Sequence, residues 1–295
     1  MRPPAEAIGA LALIVGAIAL LIFLAVEGAL VYAVWRYRSS RSSAGEPARF
    51  EGNRRLEIAW TAAPALVLAV VFALMLGTMA EIGGASVEPG LRVRAVGHQW
   101  WWEFGYGAVI TANELHIPVD TAVDLELTSA DVIHSFWVPE LGGKRDMLPG
   151  TTNRLRLFAR RAGVYEGQCS EFCGVEHAWM RIRVVAESRA DFDRWLAAQG
   201  QPAATRGDGE RIFLMAICVN CHAVRGTSAA GTAGPDLTHV GARATLGAGV
   251  LPNDVARMRA WVADPQHYKP GALMPRVPLS DAELDSLAAY LVSLK

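Results

Sequence analysis

A group of soft metal ligands lies between Cys169 and Met180, where the sequence reads Cys-Ser-Glu-Phe-Cys-Gly-Val-Glu-His-Ala-Trp-Met. Within these twelve residues stand two thiols, one imidazole and one thioether. Thiolate and thioether ligands favour copper over hard cations, and imidazole suits copper as well. The residue types therefore predict a copper site that transfers electrons.

The same segment also permits other structures. Cys169, Cys173, His177 and Met180 are spaced so that they would share one face of an α-helix. A helix with a row of soft side chains is thus one alternative, and a zinc site built from the two thiols and His177 is another.

A second motif, Cys218-Val-Asn-Cys221-His222, matches the C-x-x-C-H sequence to which c-type haem is attached. The motif is short, and C-x-x-C alone also occurs in zinc sites and thiol redox proteins. All four cysteines of the chain belong to these two motifs. We therefore expect metal and haem chemistry rather than disulfides.

Two later segments read Gly-Pro-Asp-Leu-Thr at 234–238 and Lys-Pro-Gly-Ala-Leu-Met-Pro at 269–275. Both resemble class I cytochromes c. The resemblance implies that His222 is the proximal ligand of a haem iron, that Met274 is the distal ligand and that Pro235 supports the histidine. A His/Met pair raises the reduction potential of the iron.

The segment 130–139, Ala-Asp-Val-Ile-His-Ser-Phe-Trp-Val-Pro, extends the first motif. Together the two segments resemble subunit II of haem-copper cytochrome c oxidases, which holds the binuclear copper centre CuA on loops at the end of a β-barrel. The resemblance implies that the thiolates of Cys169 and Cys173 bridge the two coppers. One imidazole, from His134 or His177, would bind each copper. The Met180 thioether would be a weak ligand, and the Glu171 backbone carbonyl would be the last.

The resemblance covers roughly residues 50–187. Glu-Ile-Ala-Trp-Thr at 57–61 and Gly-His-Gln-Trp-Trp-Trp at 97–102 match two further family motifs. By this resemblance, Trp100 is the exposed residue at which electrons enter, and Glu57 lies at the entrance of a proton channel into subunit I. The Glu171 side chain would reach a Mg²⁺ or Mn²⁺ ion at the boundary with subunit I. At least two of the tryptophans at 100–102 are expected to be buried.

Two long apolar runs, at about 8–35 and 58–80, are each long enough to cross a bilayer as a helix. The first is longer than the apolar core of a signal peptide, which favours an uncleaved anchor. Six arginines lie between the runs, so the positive-inside rule places this loop in the cytoplasm. Everything after about residue 80 is then exported, which agrees with the haem motif.

The exported part divides by its pattern into strands and then helices. Short β-like runs stand at 91–96, 123–128, 154–158 and 180–185. Near the C-terminus, Ser280 is a predicted N-cap for a helix with an apolar face, formed by Leu284, Leu287, Ala288 and Leu291.

We therefore predict a multidomain chain. Its parts are a transmembrane helical hairpin at 1–85, a cupredoxin-like β-barrel CuA domain at 90–187, a linker at 188–208 and an all-α class I cytochrome c domain at 209–295. This arrangement resembles subunit II of caa-type bacterial oxidases.

The resemblance implies that electrons pass from a reduced donor through haem c and CuA to a catalytic subunit I, which reduces O₂ to water with proton pumping. Expected partners are subunits I and III, with cytochrome c or quinol-cytochrome c reductase as donor. The expected location is the bacterial inner membrane, with the copper and haem domains on the periplasmic or extracellular side. This chain should have no O₂ site of its own, because neither apolar run contains a histidine.

Two other functions fit the same motifs. One is a CuA-bearing subunit of a nitric oxide reductase, and the other is a membrane-tethered protein that binds or delivers copper. A quinol oxidase subunit fits less well, since those proteins lack the copper cysteines. The net charge of −1 and the lack of a basic aromatic patch give no indication of nucleic-acid binding.

Overall fold

The computed structural model describes residues 3–38, 52–83, 89–203 and 207–295 of the chain. The chain divides into two compact units, Met1–Ser86 and Val87–Lys295. The predicted cytoplasmic loop, at 39–51, and residues 204–206 of the predicted linker lie outside the described residues.

The first unit consists of two long helices, α1 (Pro4–Tyr37) and α2 (Arg54–Gly83), which contact each other. Both are long and apolar enough to cross a membrane. Their large apolar side chains are mostly exposed, including Leu13 at 78% and Phe23 at 58%, as expected for side chains that face lipid. Each helix extends a few residues beyond its predicted ends.

The second unit begins with a β-sandwich of two five-stranded sheets. The strands are β1 (Leu91–His98), β2 (Trp101–Tyr106), β3 (Val109–Ala112), β4 (Glu114–Pro118), β5 (Val123–Ser129), β6 (His134–Trp137), β7 (Arg145–Met147), β8 (Asn153–Leu157), β9 (Gly163–Cys169) and β10 (Arg181–Glu187). One sheet has the order β3-β2-β1-β5-β8 and the other β4-β10-β9-β6-β7. This sandwich confirms the predicted cupredoxin-like fold.

Alternating side chains form the core between the two sheets. In β5, Val123, Leu125 and Leu127 are fully buried while the residues between them are partly exposed, as the period of a strand requires. Trp102 and Phe136 meet edge to face in the same core. The packed sheets give a rigid base for the loops at their ends.

A helix occupies the first half of the segment predicted as a linker at 188–208. Helix α3 (Arg189–Gln199) begins at Ser188, whose side chain accepts a hydrogen bond from the Asp191 backbone N–H. Phe192 is 1% exposed and belongs to the core of the sandwich, with Trp195 packed beside it. The prediction of a linker is therefore wrong for this half, because the apolar face of α3 is buried against the β-domain.

The C-terminal part is mainly helical and has its own hydrophobic core. Its elements are α4 (Asp208–Met215), α5 (Val255–Ala263), α6 (Pro265–Tyr268), α7 (Asp281–Ser293) and two-residue strands β11 (Thr245–Leu246) and β12 (Leu251–Pro252). The structure confirms the predicted terminal helix: Ser280 caps α7 in a capping box with Glu283. The four predicted apolar residues of α7 are buried.

Candidate copper and haem sites

The soft ligands at 169–180 lie at one end of the sandwich. Cys169 is the last residue of β9, the next residues form an irregular loop, and His177 begins a single 3-10 turn. The alternative of one α-helix through this segment is therefore wrong. His134 comes from another part of the chain, at the start of β6, which pairs with β9.

The structure brings together all six groups that the sequence proposed as copper ligands. The two sulfurs of Cys169 and Cys173 lie 3.8 Å apart. His134 Nδ1 and the Glu171 carbonyl oxygen lie 3.9 and 3.2 Å from Cys169 Sγ. His177 Nδ1 and Met180 Sδ lie 3.6 and 3.9 Å from Cys173 Sγ. The Cys169 thiol therefore lies near His134 and Glu171, and the Cys173 thiol lies near His177 and Met180.

This ligand set fits a pair of soft metal ions. The sulfurs are too far apart for a disulfide bond of about 2.0 Å, and both cysteines are free. Two thiols, two imidazoles, a thioether and a carbonyl exceed the four ligands of a tetrahedral zinc site. Copper accepts all the sulfur and nitrogen types present.

Hydrogen bonds prepare the thiol pair for metal binding. The hydrogen bond from Cys173 lowers the pKa of Cys169 to about 3, although burial opposes this shift. The same interaction raises the pKa of Cys173, since one proton is shared between two buried sulfurs. The thiolate is the form of cysteine that binds metal, and the geometry makes the first thiolate easy to form.

Asp131 orients the ring of His134. Its carboxylate accepts a hydrogen bond of 2.8 Å from His134 Nε2 and one of 2.7 Å from the Gln99 backbone N–H. Burial lowers the pKa of His134, but the hydrogen bonds and charges of Asp131 and Cys169 together outweigh this and raise the pKa above its ordinary value. With Nε2 donating to Asp131, Nδ1 faces the thiol of Cys169 and keeps a lone pair that could bind a metal.

Removing the Asp131 carboxylate should weaken metal binding. We expect Asp131→Ala to lower copper affinity by roughly 10- to 100-fold, because His134 loses the partner that fixes its tautomer and orientation. Copper titration followed by absorption would measure this. Asp146→Ala removes an exposed carboxylate from neighbouring β7 and serves as the control. Equal affinities of the two variants would contradict a role for Asp131.

The haem motif lines a cavity of about 340 Å³ in the C-terminal part. Cys218, Cys221, His222 and Met274 all contribute to its wall. Apolar side chains supply most of the remainder, among them Ile217, Leu237, Leu246, Met258, Trp261 and Leu291. An apolar cavity with two thiols, an imidazole and a thioether fits a c-type haem.

His222 is held in the orientation that a proximal ligand needs. Its Nδ1 lies 2.8 Å from the carbonyl oxygen of Pro235, to which it donates. This confirms the predicted support from Pro235. Burial lowers the pKa of His222, and a neutral ring that donates through Nδ1 leaves Nε2 with a free lone pair.

Trp100 is not an exposed residue, contrary to prediction. It is only 8% exposed, and both Trp100 and Trp101 line the haem cavity. The indole N–H of Trp100 donates to the Cys173 carbonyl at 2.9 Å. Trp100 therefore connects the haem cavity with the loop at 170–176, which we call the copper loop. Because Trp102 is fully buried as well, the expectation of two buried tryptophans is confirmed.

The two remaining predicted carboxylates stand at the surface. Glu171 follows Cys169 by two residues, and its side chain is exposed beside the exposed Phe172. Glu57 lies in the first turn of α2 and is exposed within the first unit. The Asn53 side chain caps that turn by accepting the Arg55 N–H at 3.1 Å.

Sequence reasoning gave no role to three residues of these sites: Asp131, Lys269 and Glu114. Asp131 stands three residues before His134, and that spacing of a carboxylate from an imidazole was a usable signal. Lys269 hydrogen-bonds to Trp100, from which it is separated by 169 residues, and Glu114 to Thr245, 131 residues away. No local pattern indicates pairs so distant.

The fold and the two ligand sets define a membrane-anchored electron-transfer protein. Three family models match: cytochrome c oxidase subunit II, transmembrane domain, at residues 2–76; its periplasmic domain, at 108–187; and cytochrome c, at 207–295. The copper domain is thus periplasmic, and CuA and haem are the cofactors that these domains imply.

Two similar proteins match this chain over most of its length. Cytochrome c oxidase subunit 2 of Alkalihalophilus pseudofirmus is 37% identical, covering 93% of this chain and 85% of the relative. The same subunit of Bacillus subtilis is 35% identical, with 90% and 82% covered. The chain belongs to the cytochrome c oxidase subunit 2 family and carries a fused cytochrome c domain.

Among solved structures, the periplasmic domain of cytochrome oxidase subunit II from Bradyrhizobium japonicum is 30% identical. It aligns with 38% of this chain and 95% of its own, with a TM-score of 0.37.

Proposed function

We propose that this chain relays electrons from a reduced donor, through its cytochrome c domain and then its copper domain, to the catalytic subunit I of an oxidase that reduces O₂ to water and pumps protons. The observation that supports this order is the position of Trp100. It lines the haem cavity and donates a hydrogen bond to Cys173 of the copper loop.

The chain's own residues would hold the two redox groups. A copper pair would be held by Cys169, Cys173, His134, His177, Met180 and the Glu171 carbonyl. Cys218 and Cys221 would attach the haem covalently, and His222 and Met274 would bind its iron. When bound, the copper pair and the haem iron each take up and release one electron.

The protein matrix keeps these ligands in place. His134 is fully buried and bonded to Asp131, and both copper cysteines are at most 3% exposed. Because the ligands lie on a packed β-sandwich and exclude water, they need move little when the charge of the site changes. A small rearrangement favours fast electron transfer.

The copper loop also carries a surface for a partner. Phe172 and Val175 are each 75% exposed on this loop, and exposed apolar groups commonly mark protein interfaces. We assign this surface to subunit I. The Glu171 side chain, exposed on the same loop, would supply an oxygen ligand to Mg²⁺ or Mn²⁺ at that boundary.

The remaining assignments follow from membership of the family. The chain would be anchored in a bacterial inner membrane and associate with subunits I and III. Cytochrome c, or quinol-cytochrome c reductase, would supply the electrons. Glu57, at the start of α2, would stand near the entrance of a proton channel into subunit I.

Rapid-mixing kinetics would test the proposed function. After reduction of the haem in the full, metal-loaded chain, we expect the copper absorption to bleach as the haem reoxidises. The chain should also co-purify with a large haem-bearing membrane subunit that consumes O₂. Copper that stays oxidised while the haem is reduced, or a chain that purifies without such a subunit, would favour a copper-binding or copper-delivery protein.

A further inference from the structure

Lys269 has an unusual position for a lysine. It stands in the cytochrome c domain, five residues before Met274, and is only 3% exposed. Its Nζ donates three hydrogen bonds, to the carbonyl oxygens of Trp100 at 2.6 Å, Gly247 at 2.9 Å and Trp179 at 3.0 Å. Two of these acceptors belong to the copper domain.

The three acceptors match the three donors of an ammonium group. Burial lowers the pKa of Lys269 to about 7, and the neighbouring carboxylate of Glu176 opposes this shift. Glu176 comes from the copper loop and is 5% exposed. A lysine buried at such cost, with partners in another domain, points to a specific contact rather than a chance one.

A second buried charge crosses the same interface in the opposite direction. Glu114 of β4 is 5% exposed, and its Oε1 accepts hydrogen bonds from the backbone N–H groups of Ala244 at 2.8 Å and Thr245 at 3.1 Å. The backbone N–H of Arg181, in β10, also donates to the Ala248 carbonyl at 3.2 Å. Each domain thus inserts one charged side chain among backbone groups of the other.

These contacts fix the haem cavity against Trp100. Domains joined by a linker ordinarily move relative to one another unless their interface is extensive or specific. Here Lys269 donates a hydrogen bond to the carbonyl of Trp100, the residue that lines the haem cavity and donates a hydrogen bond to Cys173. Its hydrogen bond to Trp179 reaches the last residue of the 3-10 turn that begins at the candidate ligand His177.

We propose that Lys269 is a positioning residue that holds the cytochrome c domain on the copper domain in one fixed arrangement, so that internal electron transfer requires no domain motion. This inference rests on the proposed function. Because the chain's own haem domain covers Trp100, an external donor must deliver its electrons to the haem domain.

Lys269→Met tests the proposal, since it removes the ammonium group and keeps most of the side-chain volume. In the full chain loaded with haem and copper, we expect the rate of haem-to-copper transfer to fall roughly tenfold or more, because each event then waits for domain motion in the microsecond-to-millisecond range. The variant's rate should also fall as sucrose raises the viscosity. The wild-type rate should not depend on viscosity.

Hydrogen exchange gives a readout that is independent of electron transfer. The N–H groups of Ala244 and Thr245, which bond to Glu114 across the interface, should exchange faster in Lys269→Met. Lys144→Met removes an exposed lysine of the copper domain and is the matched control, expected to behave as wild type. The copper and haem absorption bands of both variants should be unchanged.

Each outcome decides between separate claims. A Lys269→Met variant with the wild-type rate and no viscosity dependence would overturn the role of Lys269, and so would a viscosity-dependent rate in the wild type. No haem-to-copper transfer in the wild type would instead contradict the proposed function. If Lys269→Met does not fold, Glu114→Ala applies the same test from the other domain, with the same viscosity dependence expected and its absence contradicting a fixed interface.

Discussion

Replacing Cys173 with serine is expected to abolish the binuclear copper site while leaving the haem domain intact. Cys173 Sγ lies within 4 Å of Cys169 Sγ, His177 Nδ1 and Met180 Sδ, so its loss separates the two halves of the ligand set. A hydroxyl group is a hard ligand and a poor substitute for a soft bridging thiolate. Removing a group that only hydrogen-bonds to a ligand can lower metal affinity by roughly 100-fold. Removing the ligand Cys173 itself should lower copper affinity by more than that.

Copper analysis and absorption spectra of the purified variant would measure this effect. Ser170→Ala is the matched control, because Ser170 lies in the same loop and its hydroxyl has no partner among the described residues. It should keep the copper spectrum. An unchanged near-infrared copper band in Cys173→Ser would contradict the assignment of the bridging thiolates, and a lost haem spectrum would show that the variant is misfolded.

Replacing Met274 with alanine is expected to have the second large effect. If Met274 binds the haem iron, the sulfur-to-iron absorption band should disappear. The reduction potential of the haem should fall by on the order of 0.2 V, within the roughly 0.8 V over which axial ligands set haem potentials. A donor matched to the native potential would then reduce the haem poorly, and electron delivery to the copper domain would slow accordingly.

Two other methionines of the domain provide the controls. Met215 is 76% exposed, so Met215→Ala should change neither the band nor the potential. Met258 is 3% exposed and lines the haem cavity, which makes it the only other methionine among the residues that line this cavity. The band should survive in Met258→Leu. Its loss there, together with its survival in Met274→Ala, would assign the axial ligand to Met258.

The grouping of the candidate ligands was predictable because motif and chemistry agree at the same residues. Cysteine, histidine and methionine in close spacing indicate a soft metal, and the segment containing His134 turned that into a particular ligand set. The strands were less predictable. The four predicted runs correspond to β1, β5, β8 and β10, whereas β6 is buried over three of its four residues and shows no alternation.

The relation between the domains could not be read from the sequence. The family resemblance placed Trp100 at the surface, but that expectation describes a copper domain without a haem domain above it. In this chain, Lys269 and Gly271 of the fused domain lie against Trp100 and remove it from solvent. Contacts between residues so far apart along the chain depend on the tertiary fold and leave no local pattern.

Helix α3 is a second feature that the sequence prediction missed. The predicted linker at 188–208 includes this helix, yet Phe192 and Trp195 carry enough apolar surface to fix it on the β-sandwich. Two aromatic residues alone did not show in the sequence against which surface they pack.

The most direct test of the account is metal analysis with electron paramagnetic resonance on the native, metal-replete chain. The ligand geometry predicts two copper ions that share one unpaired electron, together with one low-spin haem. A single zinc ion held by Cys169 and Cys173, or a disulfide between these two residues, would contradict it.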